Sequence, residues 1–228
     1  FRSMVATPLV GVIDRPIFSR LFRPSEAPYD SIPNEHNPVI VAGFGRVGQM
    51  VARILRLQDI GFTTLEKSSE QVRAVRKFGS KVYYGDASRL DLLEAAGARN
   101  AKYFVLAIDD LEASVKTATL VRKHFPHLVI FARARNRQHV FELMDAGVTH
   151  VWRETLASSM EMAGGLLLEM GSPESVANSI VQKFRAHDEQ TLLKQYEIHD
   201  DEKAIIQYSK QSVQQLLDSV AADRQQTK

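Results

Sequence analysis

Three glycines and one acid carry the first chemistry in this chain. Gly43, Gly45 and Gly48 follow the apolar run Val39–Ala42 in the order Gly-x-Gly-x-x-Gly. Glu66 stands about 20 residues beyond Gly45, closing a second β-type run that begins at Phe62. Each glycine has its own task in such a turn. Gly43 allows the sharp passage from strand to helix, Gly45 leaves bare backbone where a pyrophosphate can approach, and Gly48 lets the helix lie close to the sheet. The helix that opens at Arg46 and Val47 offers unpaired N–H groups and aligned peptide dipoles, which favour an anion. The Glu66 carboxylate can accept from both hydroxyls of a ribose and would repel a 2′-phosphate. An adenine nucleotide or NAD(H) is therefore expected in preference to NADP. The alternative is a fold that keeps these glycines for packing and binds nothing.

Further residues fall at the ends of later apolar runs. Asp86 and Ala87 follow the third run, and Asp86 could reach the adenine side; Lys67 directly follows Glu66. Asp109 and Asp110 follow the fourth run and could bind a cation, although acids there more often cap a helix. Of Arg133 and Arg135 after the fifth, at most one can face a cleft, because side chains alternate along a strand. Enzyme signatures are missing: there is no Tyr-x-x-x-Lys pair, no Gly-x-Ser-x-Gly elbow and no His-Glu-x-x-His. A nucleotide fold without such groups suggests a sensor, in which ligand binding shifts a conformational equilibrium.

The elements that would position these residues alternate from Val39 onward. Strands are expected at 39–42, 62–66, 81–84, 103–107, 128–132 and 148–151, with helices at about 46–57, 69–78, 88–96, 111–124 and 137–145. Continuous apolar strands such as Tyr103–Ala107 and Leu128–Phe131 suit a parallel sheet covered on both faces. The expectation is an α/β, doubly wound, Rossmann-like parallel sheet of about six strands, followed by C-terminal helices. Ligands bind such sheets at the carboxyl ends of the strands. Beyond Arg153 a helix is expected from Thr155 to Met170, stopped by Gly171. A second opens at Pro173 with Ser172 as its cap. Their broad apolar faces have little sheet left to cover and are expected to meet another subunit. Residues 209–228 read as an exposed helix.

Composition narrows the classes. The chain has 228 residues, 44% hydrophobic and 25% charged, as in ordinary soluble domains. A net charge of +2 argues against a dedicated nucleic-acid binder. The absence of cysteine excludes disulfides, thiolate catalysis and thiolate metal sites within the chain. The first 33 residues read differently: Met4–Ile13 is nearly all apolar, Arg15, Arg20 and Arg23 follow, and Pro24, Pro28 and Pro33 mark a linker. Ten apolar residues are too few to span a bilayer, which takes about 20. The segment is expected to be the cytoplasmic end of a longer membrane helix, its arginines obeying the positive-inside rule, or else an amphipathic arm on the domain.

Several motifs together carry a family resemblance. They are Gly43–Gln49 (G-F-G-R-V-G-Q), Lys77-Phe78-Gly79, Val82–Ala87, Leu92–Ala98, His124-Phe125-Pro126-His127 and Ala132–Arg135. From about Pro38 to Glu197 the chain closely resembles the cytosolic KTN (RCK) domain of KefC-like, glutathione-gated potassium efflux proteins. The resemblance implies three regions: residues 1–37 as the end of a membrane helix plus linker, 38–152 as the nucleotide-binding domain, and 153–228 as a helical dimerisation and glutathione-site region.

It implies a homodimer at the cytoplasmic face of the bacterial inner membrane, with a membrane antiporter domain ahead of residue 1. AMP or NAD(H) would bind at Gly43, Gly45, Arg46, Val47, Gly48, Glu66, Lys67, Asp86, Ala87 and Asp109. Glutathione would be the regulatory ligand, held by Arg53, Arg153 and Asp188, with Phe78 as the aromatic that a bulky adduct displaces. Asp188 stands where better-known members carry asparagine; it suits the ammonium of glutathione but cannot donate to a carboxylate. Reduced glutathione would close the antiporter, and adducts of electrophiles would open it, with potassium leaving and protons entering. An ancillary flavoprotein of the quinone-reductase type would dock on the domain. The resemblance implies no catalytic residue, metal site or nucleic-acid partner. The second reading is an NAD-dependent enzyme domain of reductase type.

Overall fold

The chain is described by a computed structural model covering residues 28–33 and 35–226, with side chains to residue 222. The membrane-helix expectation falls on residues 1–27, outside the described residues. Six parallel strands form one sheet in the order β3-β2-β1-β4-β5-β6. They are β1 (Val39–Ala42), β2 (Phe62–Glu66), β3 (Tyr83–Tyr84), β4 (Tyr103–Leu106), β5 (Val129–Ala134) and β6 (His150–Arg153). Between them run α1 (Arg46–Leu57), α2 (Ser69–Arg76), α3 (Leu90–Ala95), α4 (Leu111–His124) and α5 (Arg137–Asp145). The expected doubly wound sheet is thus the one observed, and the order reverses between β1 and β4, where α/β sheets open a crevice.

The sequence pattern explains the two layers. β1 is buried at all four positions, as a central strand with both faces covered should be. Ile40, Ala42, Phe104, Leu106, Ile130 and Ala132 pack with Leu93, Val121, Phe141 and Leu143 from α3, α4 and α5 in the main core. On the other side Ala52, Val72 and Val75 of α1 and α2 gather around Phe44, Val82 and Tyr84. Beyond α1 that second face continues as an apolar groove of about 550 Å³ over β4–β6, lined by Val51, Leu55, Tyr103, Phe131 and Trp152 among others. Trp152 stacks on Phe131 at 5.6 Å and remains 56% exposed.

Four strands differ from their sequence-based bounds, β4 only in ending at Leu106 instead of 107. Gly147 sits at φ +80° and Val148 N–H donates to the Leu143 carbonyl at 3.0 Å, so 147–148 still belong to the turn that ends α5. β6 therefore starts at His150, and β5 extends to Ala134, which pairs with Arg153. β3 is shorter than expected because the Arg76 guanidinium takes the Val82 carbonyl, Nη2 to O at 2.6 Å.

The C-terminal part holds α6 (Leu156–Glu169), α7 (Glu174–Glu197) and α8 (Glu202–Gln226). Pro173, not Ser172, occupies the cap position of α7, with no side-chain cap bond. α8 starts earlier than expected because the Asp201 carboxylate accepts from Ala204 N–H at 3.0 Å. α6 packs along α7 and α7 along α8. Met160 is the one buried residue of α6, while Met162 is 74% exposed and Leu166, Leu168 and Met170 are exposed as well. Among the described residues no helix is long and apolar enough to cross a membrane.

Candidate functional site: a cleft at the carboxyl ends of the strands

The loops after β1 to β4, with Arg133 near the end of β5 and Glu154 just past β6, enclose a cavity of about 420 Å³. Its walls include Gly43, Gly45, Arg46, Val47, Glu66, Lys67, Asp86, Ala87 and Asp109. Gly48, the remaining residue expected here, lies one layer behind. The three glycines differ in what surrounds them. Gly43 has φ +91°, and a Cβ there would lie 2.8 Å from the Ala107 carbonyl carbon. A Cβ on Gly48 would lie 2.1 Å from the Gly43 carbonyl oxygen. These two are fixed by turn geometry and by helix-to-loop contact. Gly45 is held by neither: its φ is −73°, which any residue adopts, and a Cβ would meet nothing within 4 Å. Bare backbone at Gly45 leaves open cleft at the first N–H groups of α1, a cradle that suits a phosphate.

Glu66 is held rigidly. One carboxylate oxygen accepts from Phe44 N–H at 2.7 Å and the other from Ser68 N–H at 2.8 Å. A carboxylate has about four acceptor positions, so two are still available to ribose hydroxyls. Asp86 accepts from Ser88 N–H at 2.9 Å and pairs with Lys67 at 3.1 Å. Burial pushes the Asp86 carboxyl up, but its bonds to Ser88 and Lys67 outweigh this and hold it below the usual carboxylate range. Asp109 is held low by its bond to the Arg133 guanidinium. Asp110, by contrast, caps α4, accepting from Ala113 N–H at 2.8 Å.

Of the two expected arginines, Arg133 lies within β5, faces the cleft and is only 8% exposed, whereas Arg135, just past the strand, is exposed. Arg133 Nε donates to Glu154 at 2.9 Å, and Arg46 reaches the same carboxylate at 3.2 Å. Glu154 was hidden by the two-residue displacement of β6: a strand ending at 151 would leave 154 in a loop. Gln49 and Gln71 were also missed. Both donate to the Phe44 carbonyl, at 3.1 and 3.2 Å, and hold the glycine loop. Nothing in their spacing marks them.

A second charged cluster lies across the β5–β6 edge. Asp188 of α7, 6% exposed, receives Arg153 of β6 and Arg137 of α5; Arg137 also reaches Gln195. Burial pushes Asp188 up, but the Arg153 bond and the two guanidinium charges hold it below the usual range. Among the four expected glutathione residues, only Arg153 and Asp188 come together. Arg53 is exposed on α1 and makes no ion pair or hydrogen bond among the described residues. Phe78, 86% exposed, follows α2 beside the opposite edge of the sheet. Among the described residues, no group of three His, Asp or Glu side chains could hold a metal ion.

Residues 39–154 match the TrkA-N domain, and residues 158–228 match the potassium efflux system KefB C-terminal domain. The two meet where β6 passes into α6. Among solved structures, the Kef C-terminal domain of Shewanella denitrificans in its AMP-bound form is similar, with 36% identity and a TM-score of 0.63. The match covers 70% of this chain and 98% of that one. The TrkA-N domain of the inner membrane protein ybaL from Escherichia coli is 24% identical over 60% of this chain and 97% of that chain, with a TM-score of 0.51. The NAD-bound GsuK channel is 18% identical over 65% of this chain and 27% of its own, with a TM-score of 0.54. The last two are likenesses of fold alone.

Proposed function

The chain belongs to the TrkA-N domain family and is the KTN (RCK) regulatory domain of a Kef-type potassium efflux protein; on that premise we propose that its cleft binds an adenine nucleotide, AMP or NAD(H), and that the domain regulates transport without catalysing a reaction. The observation that carries this is the Gly45 cradle, a glycine required by neither its backbone angles nor its protein neighbours. The Gly45, Arg46 and Val47 backbone would take the phosphate and Glu66 the ribose hydroxyls. Asp86 and Ala87 would flank the base. Arg133, fixed between Asp109 and Glu154, would hold the far wall. The AMP in the 36% identical Shewanella domain supports the same ligand here. Calorimetric titration of this chain with AMP and NADH tests the reading; heat of binding that Glu66→Gln abolishes or sharply reduces is expected. Loss of one charge-assisted contact costs about 1.5–3 kcal/mol, roughly ten- to a hundredfold in affinity.

The same reading extends to gating. Glutathione carries two carboxylates and one ammonium, which suit guanidinium groups beside an acid. Arg153 and Asp188 would anchor it. Arg53 and Phe78 lie elsewhere on the same chain, so they would be supplied across a subunit boundary in a homodimer. The exposed apolar residues of α6 and the apolar groove over β4–β6 support such pairing. Reduced glutathione would favour the closed state and bulky adducts the open one, each by its differential affinity. The domain would then act in defence against electrophiles. It would sit at the cytoplasmic face of the inner membrane, joined to an antiporter domain, with a quinone-reductase-type flavoprotein as a further partner. Potassium efflux from cells treated with N-ethylmaleimide tests this: Arg153→Ala should weaken control by glutathione, and Phe78→Ala should blunt the response to adducts alone.

A further inference from the structure

Residues 28–33 and 35–37, ahead of β1, play no part in the function proposed above, yet they are anchored at several points along the β3 edge. Asp30 N–H donates to the Tyr84 carbonyl at 3.0 Å. The Asp30 carboxylate in return accepts from Tyr84 N–H at 2.6 Å and from Arg76 at 2.5 Å. The Tyr29 ring lies 5.0 Å from that of Tyr84, and the Arg89 guanidinium sits over Tyr29 at 5.3 Å. Ile32 packs against the main core. Glu35 receives Lys81 and, at 3.2 Å, the Tyr83 hydroxyl, and Asn37 reaches Thr63 of β2 at 3.1 Å.

These anchors have one geometric consequence. Tyr84 and Arg89 are the two ends of the loop that presents Gly85, Asp86 and Ala87 to the cleft. Tyr29 touches both ends, and Asp30 holds the first. β3 itself contributes only two residues to the sheet, so its ladder fixes the loop weakly. We propose that Tyr29 and Asp30 are positioning residues for the cleft: docking of the 28–37 strap on β3 sets the Gly85–Ser88 loop, and strap docking and nucleotide binding stabilise one another. This rests on the nucleotide reading. Coupling is reciprocal, so a ligand that favours the set loop must tighten the strap by the same factor by which the strap tightens the ligand. The strap is also the covalent path from the cleft to residues 1–27, and its docking state is a signal that the cleft can send along it.

The experiment titrates AMP into the full 228-residue chain and into Tyr29→Ala, Tyr29→Phe and Asp30→Asn, with thermal unfolding of each. Tyr29→Ala and Asp30→Asn should weaken AMP binding about fivefold or more, at the low end of measured coupling. Tyr29→Phe keeps the ring contacts with Tyr84 and Arg89 and should lose less than Tyr29→Ala. On the unaltered chain, saturating AMP should slow hydrogen exchange at the Asp30 amide, a readout that does not depend on any variant folding. If the wild type binds no AMP, the nucleotide reading fails and this proposal with it. If the wild type binds AMP, but folded Tyr29→Ala binds it equally well or the Asp30 amide exchanges at the same rate with and without it, the strap proposal alone is overturned. A lowered melting temperature with unchanged affinity overturns it too, since that is what a merely structural strap would give.

Discussion

Glu154 and Arg153 are neighbours in sequence, yet they serve two regions built on opposite principles. Glu154 closes the cleft, whose acids on the nucleotide side rest on backbone N–H groups of nearby loops: Glu66 on Phe44 and Ser68, Asp86 on Ser88. Arg153 joins Arg137 and Asp188, three side chains from three elements, with no short-range backbone support. The glycine-turn side of the cleft is pre-formed by local turn chemistry, while the Gly85–Ser88 side depends on the strap. The Arg153 cluster is held by ion pairs and hydrogen bonds between side chains, in a place where burial opposes the charge. Local satisfaction gives a wall that a ligand can meet as it stands; long-range ion pairing gives a cluster whose members depend on one another.

The largest effect expected from this contrast is in the glycine turn. Gly48→Ala forces a methyl group into the Gly43 carbonyl oxygen, at 2.1 Å, and should cost about 3 kcal/mol or more in urea unfolding. A smaller but still large loss is expected at the cluster. Asp188→Ala leaves the buried Arg153 guanidinium without its partner and Arg137 with Gln195 alone, and should cost about 3 kcal/mol. Because the Asp188 carboxyl is depressed in the folded chain, its contribution is present above the unfolded value near 3.8 and is lost as pH falls through the lower folded value. Wild type should therefore lose stability below about pH 4, and Asp188→Asn should lose less over that window. Equal acid sensitivity in both would remove Asp188 from the account.

The smallest stability effects are expected on exposed surfaces. Arg46→Ala removes a pair whose arginine is 84% exposed and should change folding by less than about 1 kcal/mol. Leu166→Gln on α6 should leave the folded monomer within about 0.5 kcal/mol of wild type. If α6 meets a second copy, the same change should shift sedimentation toward the monomer. Unchanged association would detach α6 from the proposed dimer.

What was legible follows the same division. The alternation of six strands with helices and the glycine turn could be read because each depends on spacing within about 30 residues: apolar runs, Gly-x-Gly-x-x-Gly and an acid at a strand end. Glu154 could not, because the turn after α5 keeps Val148 bonded to Leu143 and so moves β6 by two residues. Gln49 and Gln71 act through long side chains on one carbonyl, and no pattern announces that. The pairing of Arg153 and Arg137 with Asp188 depends on where α7 crosses the edge of the sheet, which helix periodicity does not state. Phe78 and Arg53 were grouped with Arg153 by resemblance alone, and within the chain they stand apart.

The central claim is that the cleft is a nucleotide site, and Gly45 isolates it. A Cβ there strains no backbone angle and touches no protein atom, so Gly45→Val, at the cap position of α1, should stay folded and within about 2 kcal/mol of wild type in urea unfolding. It does fill the place assigned to the phosphate. Calorimetric titration of AMP into wild type and Gly45→Val is therefore the direct measurement. The account expects binding to the wild type and none detectable in the folded variant; equal affinity in the two would contradict it.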